Sequence, residues 1–242
     1  MNESQRGALD YFAGGVPAGA IFAMAVDDLE QIAMLRSLSG AQARRVPEVC
    51  FIGLVSYFEA FCKDQLASVL NILPELVGRL REKGHDTSVD SVTLVGLKEG
   101  ALYQIGFLLC EKYDFGTAQK VNALYSALLK LTPFSKDEAD TYARVLRDRN
   151  LLVHHGGTYT ARYLAQLTGM SGTDLGRPFM DSLVVSPEYL LGDLTFLKDI
   201  ATKIATSVHT AAQSVVESQG IVLDPERIKA INFLPYGLVG EI

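Results

Sequence analysis

Ala143-Arg144-Val145-Leu146-Arg147-Asp148-Arg149-Asn150-Leu151-Leu152-Val153-His154-His155-Gly156-Gly157 brings an arginine, an amide and imidazoles together, and the rest of the chain reads as scaffolding around it. At helical period the segment from Lys136 onward carries an apolar line through Ala139, Tyr142, Ala143, Leu146 and Val153, the stripe a helix lays on its core. Arg149 and Asn150 fall inside that line. Polar groups there must be hydrogen-bonded or functional, because burying one unpaired costs about 1–3 kcal/mol, and more for the charge. Asn150 and His154 are four apart and project from one face. Arg149 and His154 lie about 140° apart around the axis, so only arginine's long stem, or unwinding at the helix end, lets them meet. Gly156-Gly157 supplies that end. Both histidines then sit at a helix C-terminus, where the macrodipole stabilises cationic side chains.

Working outward, Ser135 opens this helix with Asp137, Glu138 and Asp140 in or near its first turn, the charge a helix N-terminus prefers. Asp140, Arg144 and Asp148 recur at spacings of four, an exposed salt-bridge ladder that accounts for Arg144 better than a phosphate contact does. Upstream, Pro47 is placed at the first turn of a helix from about Glu48 to Leu73, with a stripe of Ile52, Val55, Cys62, Leu66 and Val69. Glu59 stands in the middle of that stripe as Arg149 does in the later one. Opposite charges on two core-facing lines predict a buried or half-buried pair, with Lys63 a competing partner for Glu59.

The remaining segments also read as helices. Ala18 to Leu38 has Ile21, Met24, Ala25, Leu29, Ile32 and Leu35 at helical spacing, and residues 1–16 form a short lead-in. Pro74 to Lys83 is a short helix, Gly84 to Asp90 a polar loop with His85 solvated, and Ser91 to Tyr113 two short helices broken by glycines. Asp114-Phe115-Gly116 is a turn before a helix from Thr117 to Leu131. After the histidines, residues 156–186 are irregular, with a short helix at Thr160 to Leu167 and an extended piece at Leu183 to Val185; the loop is either a substrate-selecting lid or a packing insertion. Ser186 and Pro187 open a long helix to about Gln219, on which His209 is a satisfied core-edge residue. A helix from Pro225 to Phe233 and an apolar tail, Leu234 to Val239, follow, the tail a candidate interface if exposed.

Composition bounds the class. The chain has 242 residues, 48% hydrophobic and 21% charged, which is globular with a sizeable core. A net charge of −6 and a pI near 5.3 argue against a general nucleic-acid coat but leave room for a local cationic cleft around Arg144, Arg147 and Arg149. Cys50, Cys62 and Cys110 have no paired spacing and read as buried free thiols of a reducing compartment, without a zinc site. Ala18 to Val26 is too short to span a bilayer and no secretion leader is visible, so a cytoplasmic location without a membrane is expected. The expected architecture is all-α in one domain: an N-terminal extension over residues 1–40, a bundle core of 41–155 and 187–219, the insertion 156–186 and a tail 220–242.

Arg149-Asn150-Leu151-Leu152-Val153-His154 resembles the signature of the HEPN superfamily, an arginine and a histidine separated by four to six residues, in its Arg-Asn-x-x-x-His form. His155-Gly156-Gly157 and Tyr57-Phe58-Glu59-Ala60-Phe61 are also similar to its members. The resemblance implies an antiparallel helical bundle, here with extra terminal helices. It further implies a homodimeric, metal-independent endoribonuclease whose two motifs face each other across one composite cleft. Attack of an RNA 2′-hydroxyl on its own phosphorus would give a 2′,3′-cyclic phosphate. That reaction needs a group that titrates near neutrality and a cation facing the developing charge, roles that fall to His154 and Arg149, with Asn150 orienting the histidine or the phosphate. Glu59, His155 and Arg144 are candidate supporting residues, and either His154 or His155 is the ring aimed at the cleft, His154 matching the register of Asn150. No cofactor or metal is implied. RNA and a silencing antitoxin or other regulatory protein are the implied partners, in toxin–antitoxin or phage-defence settings. The alternative is a noncatalytic nucleotide-binding or interaction module in which Glu59, Arg149 and Asn150 form a structural network.

Overall fold

The computed structural model describes residues 7–35, 39–97, 103–168 and 181–239. Among them the fold is all-α, a helical bundle of ten α-helices without a strand. These are α1 (Ala18–Ala33), α2 (Ala41–Ile72), α3 (Val77–Glu82), α4 (Ser91–Leu97), α5 (Ile105–Cys110), α6 (Ala118–Leu129), α7 (Lys136–His155), α8 (Ala161–Thr168), α9 (Pro187–Gln219) and α10 (Pro225–Phe233). No helix among the described residues is long and apolar enough to cross a membrane.

Local chemistry sets most of these boundaries. The Ser135 hydroxyl accepts from the Glu138 amide while the Ser135 amide donates to the Glu138 carboxylate at 2.7 Å, a reciprocal cap that starts α7. Thr117, Ser186 and Asp224 accept first-turn amides of α6, α9 and α10. Gly156 at φ 58° and Gly220 at φ 62° close α7 and α9 in the left-handed conformation.

Packing then departs from the sequence reading in several places. Helix α2 starts at Ala41 and runs through Pro47, which is therefore interior rather than first-turn and has no N–H for the Ala43 carbonyl. Along α2 the expected stripe holds, with Val55, Cys62, Leu66 and Val69 buried and Ile52 partly so. Along α1 it holds only in part. Ala25 and Leu29 face the core as expected, but Met24 and Ile32, and Leu35 just beyond the helix, are exposed, because α1 rolls to place Phe22 against the rings of Phe58 and Phe61. Val92 and Val95 of α4 are exposed too. The Leu183 to Val185 piece forms no strand; a single antiparallel bridge joins Thr158 to Ser182 instead. His209 is half-buried with Nε2 lacking a hydrogen-bond partner, so it is not the satisfied residue expected. The three cysteines are free and buried, as their spacing predicts. The apolar tail folds back rather than standing free: the Tyr236 carbonyl lies so near Gly19 that a Cβ there would come within 2.6 Å of it.

One core runs from Ala8 to Leu234, with α2 at its centre touching α1, α5, α7, α9 and α10. Buried amides on α2 tie distant segments to it. Asn71 donates to the Tyr11 carbonyl at 3.1 Å and accepts from the Gly106 amide at 2.8 Å, and Gln65 donates to the Leu234 carbonyl at 3.0 Å.

The 84–90 loop is stitched to the end of α5 rather than loose. His85 is half-buried with its ring against Tyr113, and Lys112 donates to Asp86 at 3.0 Å. Hydrogen bonds from the Ser88 hydroxyl and amide, then Lys112, hold the Asp86 carboxyl at about 2, below the usual 3.8. A depressed folded value contributes stability above the unfolded pKa that is lost as pH falls toward the folded one. The loop should therefore stay docked above pH 4 and loosen between pH 4 and about 2. NMR titration of the Asp86 carboxyl checks this, with Lys112→Ala expected to raise the midpoint.

Candidate functional site

The last two turns of α7 carry the motif, and the structure separates its members between two neighbouring cavities. Asn150, His154 and His155 are exposed and line an open cleft of about 710 Å³, with the Gly116 to Gln119 start of α6 as one side and α8 as another. Asn150 and His154 thus share a wall, as their spacing requires. Asn150 is not a core residue. The buried polar group of α7 is Asp148, 2% exposed, which lies on the line of Tyr142, Val145 and Leu152. Val153, placed on the core line by periodicity, is also exposed.

The charge of the cleft is unlike that of the chain. Arg147, Arg162 and the two histidines line it, and no aspartate or glutamate does among the described residues. Arg147 lies over the ring of Tyr163 at 6.0 Å. In a protein of net charge −6 this lining gathers two guanidinium groups and two imidazoles.

Arg149 faces the neighbouring cavity of about 460 Å³, with Glu59, Lys63, Asp114 and Gly116. Its Nη2 donates to Glu59 Oε1 at 2.5 Å, the half-buried pair expected from the two core lines, while Nε is buried without a partner. Burial raises the Glu59 carboxyl above its ordinary value, Arg149 pulling it down and Asp114 adding to the rise. Lys63 pairs with Asp64 at 3.8 Å rather than with Glu59. Gly116 lines both cavities, so Arg149 and His154 sit on adjacent faces of α7 with this residue at the junction.

Arg144 belongs to a network that the sequence did not reveal. The Arg144–Asp148 rung of the expected ladder forms at 3.4 Å, but with Asp148 buried rather than exposed, and Arg144 also pairs with Asp193 of α9; the two carboxylate side chains are only 3% and 5% exposed. Asp148 also accepts from the Tyr163 hydroxyl of α8 at 2.6 Å and from Tyr189 of α9, and Arg144 donates to Tyr189 at 2.5 Å. Two buried carboxylates therefore share one guanidinium. Burial raises Asp193 above its ordinary range, with Arg144 pulling it down and Asp148 pushing it up. The spacing of Asp148 with Val145 and Leu152 hinted at burial; its partners on α8 and α9 had no local signal.

Among the described residues no three histidine, cysteine, aspartate or glutamate side chains cluster so as to hold a metal ion. Fold and site together define an all-helical bundle with an open cationic cleft at the C-terminal end of one helix. No known family model matches the chain, and neither a curated protein nor a solved structure does.

Proposed function

We propose that this cleft binds the RNA backbone and that the protein is a metal-independent endoribonuclease of HEPN type, acting in the cytoplasm as a homodimer. The observation that carries the reading is a cleft lined by two arginines and two exposed histidines, with no carboxylate among the described residues of its lining, in an acidic chain. Such a lining attracts a polyanion in a chain whose net charge is negative. His154 exchanges the proton, its imidazole being the side chain suited to that work near neutrality, and Asn150 on the same wall orients it or the phosphate. Arg149, which Glu59 holds in the adjoining cavity, becomes the cation facing the charge that develops as the 2′-oxygen–phosphorus bond forms and the 5′-oxygen–phosphorus bond breaks when the phosphate sits at the Gly116 junction of the two cavities. A second copy would bring a second motif to the junction at Gly116, and a regulatory partner such as an antitoxin would act by covering the cleft.

The second reading is a noncatalytic nucleotide-binding or interaction module. What favours it is the Glu59–Arg149 pair, which already satisfies part of the guanidinium.

Incubation with total RNA in EDTA separates the two. The nuclease is expected to leave fragments with 2′,3′-cyclic phosphate ends, and His154→Ala to slow cleavage about a hundredfold, with Arg149→Ala also impaired. Cleavage that requires a divalent ion, or that persists equally in both variants, removes the mechanism. RNA bound but left intact supports the module.

A further inference from the structure

We propose that Asp148 and Tyr163 are positioning residues that hold α8 in place as the second wall of the cationic cleft. Helix α8 has only eight residues and leaves α7 through Gly156 and Gly157, both at positive φ. A helix that short does not stand by itself in water. It nevertheless delivers Arg162 and Gln166 to the cleft that Asn150 and His154 line from α7. The tie is specific. Tyr163, 5% exposed, turns its ring inward against Tyr159 at 5.3 Å between centroids and sends its hydroxyl to Asp148 Oδ1 at 2.6 Å. Asp148 is in turn fixed by Arg144 and Tyr189, so the wall is referenced to α7 and α9 at once. A hydrogen bond to a buried carboxylate is among the stronger ones, and its loss falls on a short element otherwise held by the packing of Tyr159, Tyr163, Leu164 and Leu167.

The consequence for binding rests on the RNA-backbone reading above; the placement of α8 does not. Two variants separate positioning from general stabilisation, since each removes one hydroxyl from the same carboxylate. Tyr163→Phe keeps the stacked ring and cuts the tie to α8, whereas Tyr189→Phe cuts a tie to α9, a helix of 33 residues secured along its length. Native-state hydrogen exchange of the α8 amides is expected to quicken about tenfold or more in Tyr163→Phe and to stay within about twofold of wild type in Tyr189→Phe. Affinity for a single-stranded RNA oligonucleotide should weaken about tenfold in the first variant alone, with cleavage at saturation little changed. Unchanged α8 exchange in Tyr163→Phe, or equal loosening in both variants, overturns the proposal. Failure of the wild-type protein to bind the oligonucleotide would sink the RNA reading while the exchange data still decide the role of Tyr163.

Discussion

Arg144→Ala should destabilise the protein by about 3–5 kcal/mol at neutral pH, the cost typical of breaking a buried ion pair by removing one partner. The large value is expected because the substitution leaves not one but two buried carboxylates, Asp148 and Asp193, without their shared guanidinium. Tyr163 and Tyr189 still donate to Asp148, but neutral hydroxyls do not cancel its charge. The sign with pH follows from Asp193. Its folded value is raised by burial, so its contribution to stability is present below the unfolded carboxyl value and is lost as pH rises through the folded one. Without Arg144 that rise must grow, and the deficit should shrink as the pH is lowered from 7 toward 4. Denaturant unfolding at several pH values measures it. Arg144→Lys should recover part of the loss, keeping the charge but not the fork that reaches both Asp193 oxygens and Tyr189. Neutral-pH stability equal to wild type in the alanine variant would show that the network carries no such weight.

Gly106→Ala is expected to cost about 3 kcal/mol or more, at the upper end of overpacking effects. A Cβ at this position would fall 1.9 Å from the Ala67 carbonyl oxygen and 2.9 Å from Asn71 Oδ1. The first obstacle is backbone, which cannot swing aside as a flexible side chain does. The two helices would have to separate, breaking the 2.8 Å bond from the Gly106 amide to Asn71 and with it the residue that also holds Tyr11. A fall in melting temperature of roughly 10 °C is expected for a chain of this size. Gly96→Ala on α4, where a Cβ meets nothing within 4 Å, is the control and should be neutral or mildly stabilising.

What could be read from the sequence follows the range of the forces involved. Several helix ends were legible because their chemistry is local: Ser135 with Glu138, Ser186 with Pro187, Pro225, and the glycines at 156 and 220 each act within a turn, whereas Pro47 pointed to a start of α2 that lies a turn or more inside it. The Glu59–Arg149 pair was legible too, since a charge on a core line demands an opposite charge somewhere. Helix faces were less so. On α7 the spacing Tyr142, Val145, Leu152 and the spacing Tyr142, Leu146, Val153 are both helical; packing buries Leu146 with the first line but turns Val153 and Asn150 outward and buries Asp148. On α1 one aromatic contact, Phe22 with Phe58 and Phe61, outweighs several smaller apolar residues on the other side. Neither the Asp148 hub nor the cleft lining has a local signature, because both are assembled from several helices.

The amide of Ala8 donates to the Glu226 carboxylate at 2.9 Å, across 218 positions of sequence. Together with the anchoring of Tyr11 by Asn71 and of Leu234 by Gln65, it draws both extremities of the described chain onto the same rod, α2. The molecule is therefore hemmed along a single seam. The Ala8–Glu226 contact closes 218 positions into one loop, a costly closure for chain entropy, and fraying of either segment removes a partner from the other.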